Sequence, residues 1–466
     1  METNTDRSYR DTISIVDDKG GRKWVYPKKP KGNFYNARTI VSIFLLAVLF
    51  GLPFIRSDGH PVMLFDILNR KIIFFGTLFT PSDYYLFGLI MISAFVLLFL
   101  VTAVFGRVFC GWVCPQTIFL EMVFRKIEYL IEGDYTRQME LNKSQWDNAK
   151  IFKKTLKYVI FFAISFIIAN TFLAYIIGTD QLFKIMADPM SEHLSGFISI
   201  MVFTGLFYFV FAWFREQACI LVCPYGRLQS VLLNKNSIVI AYDFIRGEPR
   251  GKISKSKNVI EKKTGDCIDC KKCVYVCPTG IDIRNGTQLE CVNCTACIDA
   301  CNSIMDSIDK PRGLIRYDSM EGIETKTNLK FTARVAGYIT VLIVLITITV
   351  LMFTSRKDID VSILRTQGML YQKMPDNKVS NLYNIKISNK TFTDLPVSFK
   401  LKNSKGEIKV IGENVSLKAA GIYEGSLMVI LPGETIKSVN TPITIDVYSG
   451  DKIITESETS FLGPVN

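Results

Sequence analysis

Five stretches of the chain stay apolar long enough to cross a bilayer, which takes about 20 helical residues. They run from Ala37 to Ile55, Tyr84 to Phe105, Leu156 to Gly178, Ser195 to Phe214 and Phe331 to Phe353. A sixth apolar run, Lys71 to Thr80, is too short and stops at Pro81, so a re-entrant or interfacial segment is expected there. Beyond residue 356 the period changes. Tyr383-Asn-Ile-Lys-Ile-Ser, Val397-Ser-Phe-Lys-Leu-Lys and Ile443-Thr-Ile-Asp-Val-Tyr alternate apolar and polar residues, and Pro432-Gly and Ser449-Gly mark turns. Short alternating runs at this spacing predict an antiparallel sandwich of the immunoglobulin-like type. The expected fold is a multi-domain membrane protein. It has an α-helical transmembrane bundle of five spans, an insert between the fourth and fifth, and a C-terminal all-β immunoglobulin-like sandwich.

The distribution of charge orients these spans. The 466 residues are 49% hydrophobic yet carry a net charge of +12. The basic residues flank apolar runs, so they predict a membrane-lipid environment and no nucleic-acid partner. Lys23, Lys28, Lys29, Lys31 and Arg38 precede or open the first span. Arg107, Arg125, Lys126, Arg137, Lys143, Lys150, Lys153 and Lys154 follow the second, whereas the loop between the third and fourth has only Lys184. The positive-inside rule therefore puts the N-terminus and the fourth-to-fifth insert in the cytoplasm, and the C-terminal sandwich outside. The first 36 residues lack the early apolar core of a cleavable signal peptide.

All twelve cysteines fall between residues 110 and 301 in CxxC or CxxxC groupings, a usage that points to metal in a reducing compartment rather than to disulfides. Cys267-Ile-Asp-Cys270-Lys-Lys-Cys273-Val-Tyr-Val-Cys277-Pro278 has the bacterial ferredoxin spacing, and Cys291-Val-Asn-Cys294-Thr-Ala-Cys297-Ile-Asp-Ala-Cys301 repeats it with Asn302 in place of the proline. In such pairs the fourth cysteine of each run reaches the other cluster. The expected ligands are Cys267, Cys270, Cys273 and Cys301 for one [4Fe–4S] cluster, and Cys291, Cys294, Cys297 and Cys277 for the second. Zinc is the alternative for paired CxxC knuckles, but those usually leave about 12–20 residues between pairs and do not interleave two quartets. Lys271 and Lys272 lie inside the first motif, where positive charge favours a reduced, more anionic cluster.

A second cysteine system is less familiar. Cys110-Gly-Trp-Val-Cys114-Pro115 follows the second span and Cys219-Ile-Leu-Val-Cys223-Pro224 the fourth, each preceded by an arginine, Arg107 or Arg215. A helical CxxxC would set its sulfurs one turn apart, and each proline suits the first turn of a following helix. The pattern reads as an internal duplication whose four thiols could hold a metal centre, transfer copper or cycle as dithiols; buried structural cysteines are the alternative. After Pro115, Glu121, Arg125, Glu128 and Glu132 share one face, predicting an amphipathic helix on the membrane that ends at Gly133. The two histidines, His60 and His193, are both expected on the outer side, which excludes haem held by two histidines within the spans. Met186, Met190 and His193 form a weaker candidate copper set. No Rossmann or Walker motif supports a nucleotide or flavin site.

In order and motif the chain resembles the cytochrome c oxidase accessory proteins of the FixG/CcoG family. The resemblance rests on Arg107-Val-Phe-Cys-Gly-Trp-Val-Cys-Pro-Gln-Thr, Glu216-Gln-Ala-Cys-Ile-Leu-Val-Cys-Pro-Tyr-Gly-Arg-Leu-Gln-Ser, Tyr242-Asp-Phe-Ile-Arg-Gly-Glu-Pro-Arg-Gly and the paired ferredoxin motifs. It implies a protein of the bacterial inner membrane that assists assembly of a cbb-type oxidase by reducing Cu(II) to Cu(I). Eight cysteines would bind clusters, while Cys110, Cys114, Cys219 and Cys223 would handle copper or electrons. The expected partners are a copper chaperone or oxidase assembly factors and an electron donor the sequence does not name. On this reading residues 1–36 are a cytoplasmic tail and 37–230 a four-span membrane domain. Residues 231–330 are a ferredoxin-like domain, 331–353 the fifth span, and 356–466 a periplasmic immunoglobulin-like domain. The alternatives are a quinol dehydrogenase-type subunit feeding a periplasmic reductase, and a non-catalytic scaffold.

Overall fold

A computed structural model describes residues 14–464 except 18, 190, 253–264, 327–331, 403–404, 413–415, 437 and 451. Among the described residues, five helices are long and apolar enough to cross a membrane: Asn33–Phe54, Pro81–Phe105, Asn148–Ile177, Leu194–Phe214 and Ala333–Thr354. Phe331, the expected start of the fifth, lies outside the described residues. The third helix begins well before its apolar stretch because the Asp147 side chain accepts the Lys150 amide at 2.8 Å and caps it there. The chain divides into two units, residues 1–55 with 91–346, and residues 56–90 with 347–466.

In the first unit the first, third and fourth spans and the helix after Pro115 share an aromatic core. Phe124 stacks on Phe211 with ring centroids 4.7 Å apart and meets Phe161 edge-on at 4.8 Å. The insert folds around its cysteines. The short strands Val239–Tyr242 and Ile315–Asp318 pair antiparallel, and the helix Ala296–Ser307 packs beneath them. The N-terminal segment lies over this insert: the Lys28 amide donates to the Tyr275 carbonyl at 2.7 Å. Asp299 accepts the Phe34 and Tyr35 amides at 3.3 and 2.8 Å, capping the first span with a carboxylate from the insert.

The second unit contains the immunoglobulin-like sandwich. One sheet orders the strands Glu407–Ile411, Ile422–Pro432, Lys378–Asn389 and Ile359–Arg365, with Gln372–Met374 added alongside Lys378–Asn389. The other orders Ser398–Leu401, Asn440–Ser449 and Lys452–Leu462. Period-two burial drives the packing, with Tyr383, Ile385, Ile387, Leu427 and Val429 meeting Ile445, Val447 and Phe461 in one core. The buried Tyr383 hydroxyl donates to the Ser460 carbonyl at 2.9 Å and joins the two sheets.

Two expectations are corrected. The run Lys71 to Thr80, expected as one re-entrant or interfacial segment, is two strands: with Met63–Asp66 it forms a three-stranded antiparallel meander through Lys71–Phe74 and Thr77–Phe79. Gly76 at φ +74° makes the tight turn that a continuous apolar reading hides. The charged stripe of the helix after Pro115 does not face water either. Arg125 is 1% exposed, whereas Leu130 on the apolar side is 80% exposed. The stripe turns inward because other elements supply its counter-charges. Arg215 grips both Glu128 oxygens at 2.7 and 2.8 Å, Lys154 and Lys157 each reach Glu132 at 2.8 Å, and Arg125 pairs with Glu121 and Glu216.

Candidate metal centres

The two ferredoxin runs fold alike. Asp269 and Lys271 in the first, and Asn293 and Thr295 in the second, take left-handed φ between 50° and 66°, bending each CxxC loop around its sulfurs. Cys267, Cys270, Cys273 and Cys301 line one cavity. Cys277, Cys291, Cys294 and Cys297 line another, with Cys273 on the shared wall. Each quartet takes three cysteines from one run and the fourth from the other. The remaining walls are mainly apolar, so thiols dominate the donor set of each cavity and suit a [4Fe–4S] cube.

Without bound cations these thiols hold their protons. Burial pushes Cys273, Cys291 and Cys301 up to about 12 and Cys294 to about 11. Opposing that, Arg284 stands near Cys273, Arg107 near Cys291 and Arg38 near Cys294, each favouring the thiolate. Arg38 and Arg107 are legible in the sequence as basic flanks of the spans, and Arg107 also as a repeated offset, but their place beside the cysteines, like that of Arg284, is not, because a lone arginine carries no spacing signal.

Cys110, Cys114, Cys219 and Cys223 come from the two ends of the duplication and meet. Burial raises Cys110 to about 11 and Cys219 to about 12, and the neighbouring thiols of the quartet push both in the same direction. Gln229 Nε2 donates to Cys110 Sγ at 3.2 Å, and Thr117 hydrogen-bonds Cys219. The Tyr225 hydroxyl, which bonds Thr102 at 2.6 Å, also reaches Gln229.

The expected continuous helical CxxxC is not what forms. The second cysteine of each pair leaves the helix, Cys114 at φ −60°, ψ 123° and Cys223 at φ −62°, ψ 113°. Its amide reaches back five residues, to Phe109 and Ala218, at 2.9 Å in both cases. Pro115 and Pro224 then open the next helix, because proline cannot supply the amide needed to continue the preceding one. The duplication is thus visible in the backbone.

The quartet abuts the second ferredoxin cavity. A β-carbon on Gly111 would lie 2.5 Å from the Val292 carbonyl oxygen and 2.6 Å from that of Asn293, between Cys291 and Cys294. Arg38 Nε donates to the Gly111 carbonyl at 2.6 Å. Arg107 joins the Leu289 and Gly226 carbonyls, and Arg125 donates to Pro278, next to Cys277, at 3.1 Å.

The histidines join other groups. His60 stacks on Phe392 at 4.1 Å, and His193 meets Asp188 at 2.9 Å with Glu192 alongside. Met190 of the weaker copper set lies outside the described residues, and Met186 is 48% exposed.

Residues 214–320 match the family described as a 4Fe-4S dicluster domain, residues 87–132 a 4Fe-4S binding domain, and residues 349–464 the IG-like fold at the C-terminal of FixG. The chain is 33% identical to Protein RdxA of Cereibacter sphaeroides over 397 residues, 82% of this chain and 83% of that one. It is 32% identical to Protein RdxB of the same organism over 386 residues, 79% and 80% of the two. It is 35% identical to Nitrogen fixation protein FixG of Rhizobium meliloti over 304 residues, 64% of this chain and 58% of FixG.

Proposed function

The chain belongs to the FixG/CcoG family, and from that premise we propose that it assists assembly of a cbb-type cytochrome c oxidase by reducing Cu(II) to Cu(I). Its coarser character is plain: a multi-pass membrane iron–sulfur electron-transfer protein. The observation that carries the finer reading is the meeting of Cys110, Cys114, Cys219 and Cys223 directly against the second ferredoxin cavity.

In this reading Cys267, Cys270, Cys273 and Cys301 hold one cube, and Cys291, Cys294, Cys297 and Cys277 the other. When bound, the cubes supply one-electron redox chemistry. The chain's own residues would enclose the second cube behind mainly apolar walls, leave the first open at Cys270, and offset their negative charge with Arg38, Arg107 and Arg284. Copper is the substrate. Cu(II) gains one electron, and the Cu(I) product suits soft thiols better than oxygen donors do. The four partly buried thiols are its binding site, with Gln229 and Thr117 fixing the orientation of Cys110 and Cys219. The N-terminus and ferredoxin-like domain face the cytoplasm and the sandwich the periplasm of a bacterial inner membrane, in the domain order given above. A copper chaperone or oxidase assembly factor completes the transfer.

One observation favours a second reading, a quinol dehydrogenase-type subunit. An apolar groove along the second span, lined by Phe95, Leu98 and Val101 among others, ends at Phe109, the neighbour of Cys110. Anaerobic Cu(II) reduction by the purified, chemically reduced protein separates the two, with Cys110→Ala and Cys219→Ala as comparisons and iron and sulfide counted throughout. Copper reduction by wild type that both variants lose while retaining their iron supports the copper reading. Wild type that leaves Cu(II) untouched but exchanges electrons with a quinone in lipid supports the other.

A further inference from the structure

The internal repeat of the insert contains its own control. Aligned by their cysteines, Cys270, Lys271, Lys272 and Tyr275 of the first run correspond to Cys294, Thr295, Ala296 and Asp299 of the second. Every one of the second set is buried: Cys294 is 9% exposed, Thr295 0%, Ala296 5% and Asp299 7%. The N-terminal segment packs on Asp299, and the helical turn holding Gly111 packs on the adjoining Val292 and Asn293 backbone. The first set is more open. Cys270 is the one exposed cysteine of the twelve, Lys271 and Lys272 are exposed beside it, and Tyr275, though its ring stacks on Tyr135 at 5.9 Å and its carbonyl accepts the Lys28 amide, keeps 48% of its surface exposed. Where the repeat is covered within the chain, its residues are small or cap a helix; where it is bare, they are two lysines and an aromatic ring.

Among the described residues, Asp269 and Asp266 at this edge are already matched. Asp269 is held by Arg284 at 2.5 Å, and Asp266 by Arg246 and Lys310 at 2.5 and 2.6 Å. The two lysines thus add their charge to an edge whose nearest carboxylates are neutralised. Desolvated apolar surface makes lasting interfaces, whereas a small charged rim around a redox centre suits brief, electrostatically steered encounters.

We propose that the edge formed by Cys270, Lys271, Lys272 and Tyr275 is the docking surface for a small acidic electron-transfer protein. The surface lies on the cavity of Cys267, Cys270, Cys273 and Cys301, not on the one that abuts the CxxxCP quartet. Donor and quartet therefore approach different cavities and do not compete for space. The inference rests on the electron-transfer reading of the chain and names the class of its missing partner.

The test is a binding titration of the full-length protein in detergent, with iron and sulfide counted, against oxidised flavodoxin as the acidic probe. Calorimetry at about 0.01 M salt, where charges act over about 30 Å, is compared with about 0.5 M, where screening confines them to a few ångströms. Wild type is expected to bind at low salt and not at high salt. The double variant Lys271→Glu/Lys272→Glu weakens binding at least about tenfold, and Lys271→Gln/Lys272→Gln falls between. The glutamine pair decides if charge reversal costs iron. Iron-replete wild type that ignores flavodoxin at low salt overturns the proposal, as does a dissociation constant unmoved by either variant. Failure of the underlying reading looks different: purified protein without iron and sulfide.

Discussion

Gly111 lies against Asn293 so closely that a β-carbon on the glycine would sit 2.6 Å from the Asn293 carbonyl oxygen. The first CxxxCP element and the second ferredoxin loop therefore touch backbone to backbone, an approach that a side chain at Gly111 would prevent. Gly111→Ala is expected to destabilise the protein by about 1–3 kcal/mol, as overpacking does. It should also lower Cu(II) reduction while most iron is retained. Thermal denaturation and copper reduction, measured on one preparation with its iron counted, check both. An alanine variant that matches wild type in stability and rate contradicts the close approach.

The interleaved quartets predict an unequal pattern of loss. Cys277 belongs by sequence to the first run but lines the second cavity, and Cys301 does the reverse. Cys277→Ala should remove roughly half of the iron and abolish the spectroscopic signal of the cluster beside Gly111; Cys301→Ala should abolish the other. Low-temperature electron paramagnetic resonance of the reduced variants distinguishes the two signals. Interleaving is excluded if Cys277→Ala loses the signal that Cys270→Ala loses rather than the one that Cys294→Ala loses.

Acid should loosen the inward-turned charged stripe. Burial alone would raise the proton affinity of Glu128, but Arg215 and Lys157 hold its carboxyl down to about 2, below the ordinary 4.5. The folded value is the lower one, so the ion pair contributes its full stability above about pH 4.5 and loses it as pH falls toward 2. Glu128→Gln should flatten that acid limb and lower stability at neutral pH by about 3 kcal/mol, since Arg215 would be left buried beside a neutral partner. Melting temperatures from pH 7 down to pH 3 test this, and a variant that follows the wild-type curve counts against it.

In the sandwich, Tyr383→Phe removes only the hydroxyl that spans the two sheets to Ser460. The Ser460 carbonyl is then left without this donor, at an expected cost of about 1–2 kcal/mol. The transition assigned to this domain in calorimetry of the full chain should shift down, whereas iron content should stay at the wild-type level.

Much of this was legible because spacing encodes it. The ferredoxin runs name their cysteines through intervals of two and three residues, the spans declare themselves by length, and Tyr383 to Ser388 alternates strictly enough to read as a strand. What spacing does not encode was missed. The stripe of Glu121, Arg125, Glu128 and Glu132 shows that a helix has two faces but not which one meets water; Arg215, Lys154 and Lys157, distant in sequence, decided that. The run from Lys71 to Thr80 is apolar throughout, and only Gly76 hinted at its turn. In the CxxxCP elements the proline was read as opening the next helix, but its effect on the cysteine before it was not, although Cys114 and Cys223 both leave the helix there.

The carboxylate of Asp299 at the start of the first span bears on the order in which the protein is made. Phe34 and Tyr35 leave the ribosome some 265 positions before the residue that satisfies their amides. Until the second ferredoxin loop has been synthesised and has closed, the earliest helix enters the bilayer with its leading turn unfinished. Closure of the insert thus finishes a helix that was the first of the spans to be made. A nascent chain stalled before Asp299 would carry that unfinished end with all four CxxxCP cysteines already made.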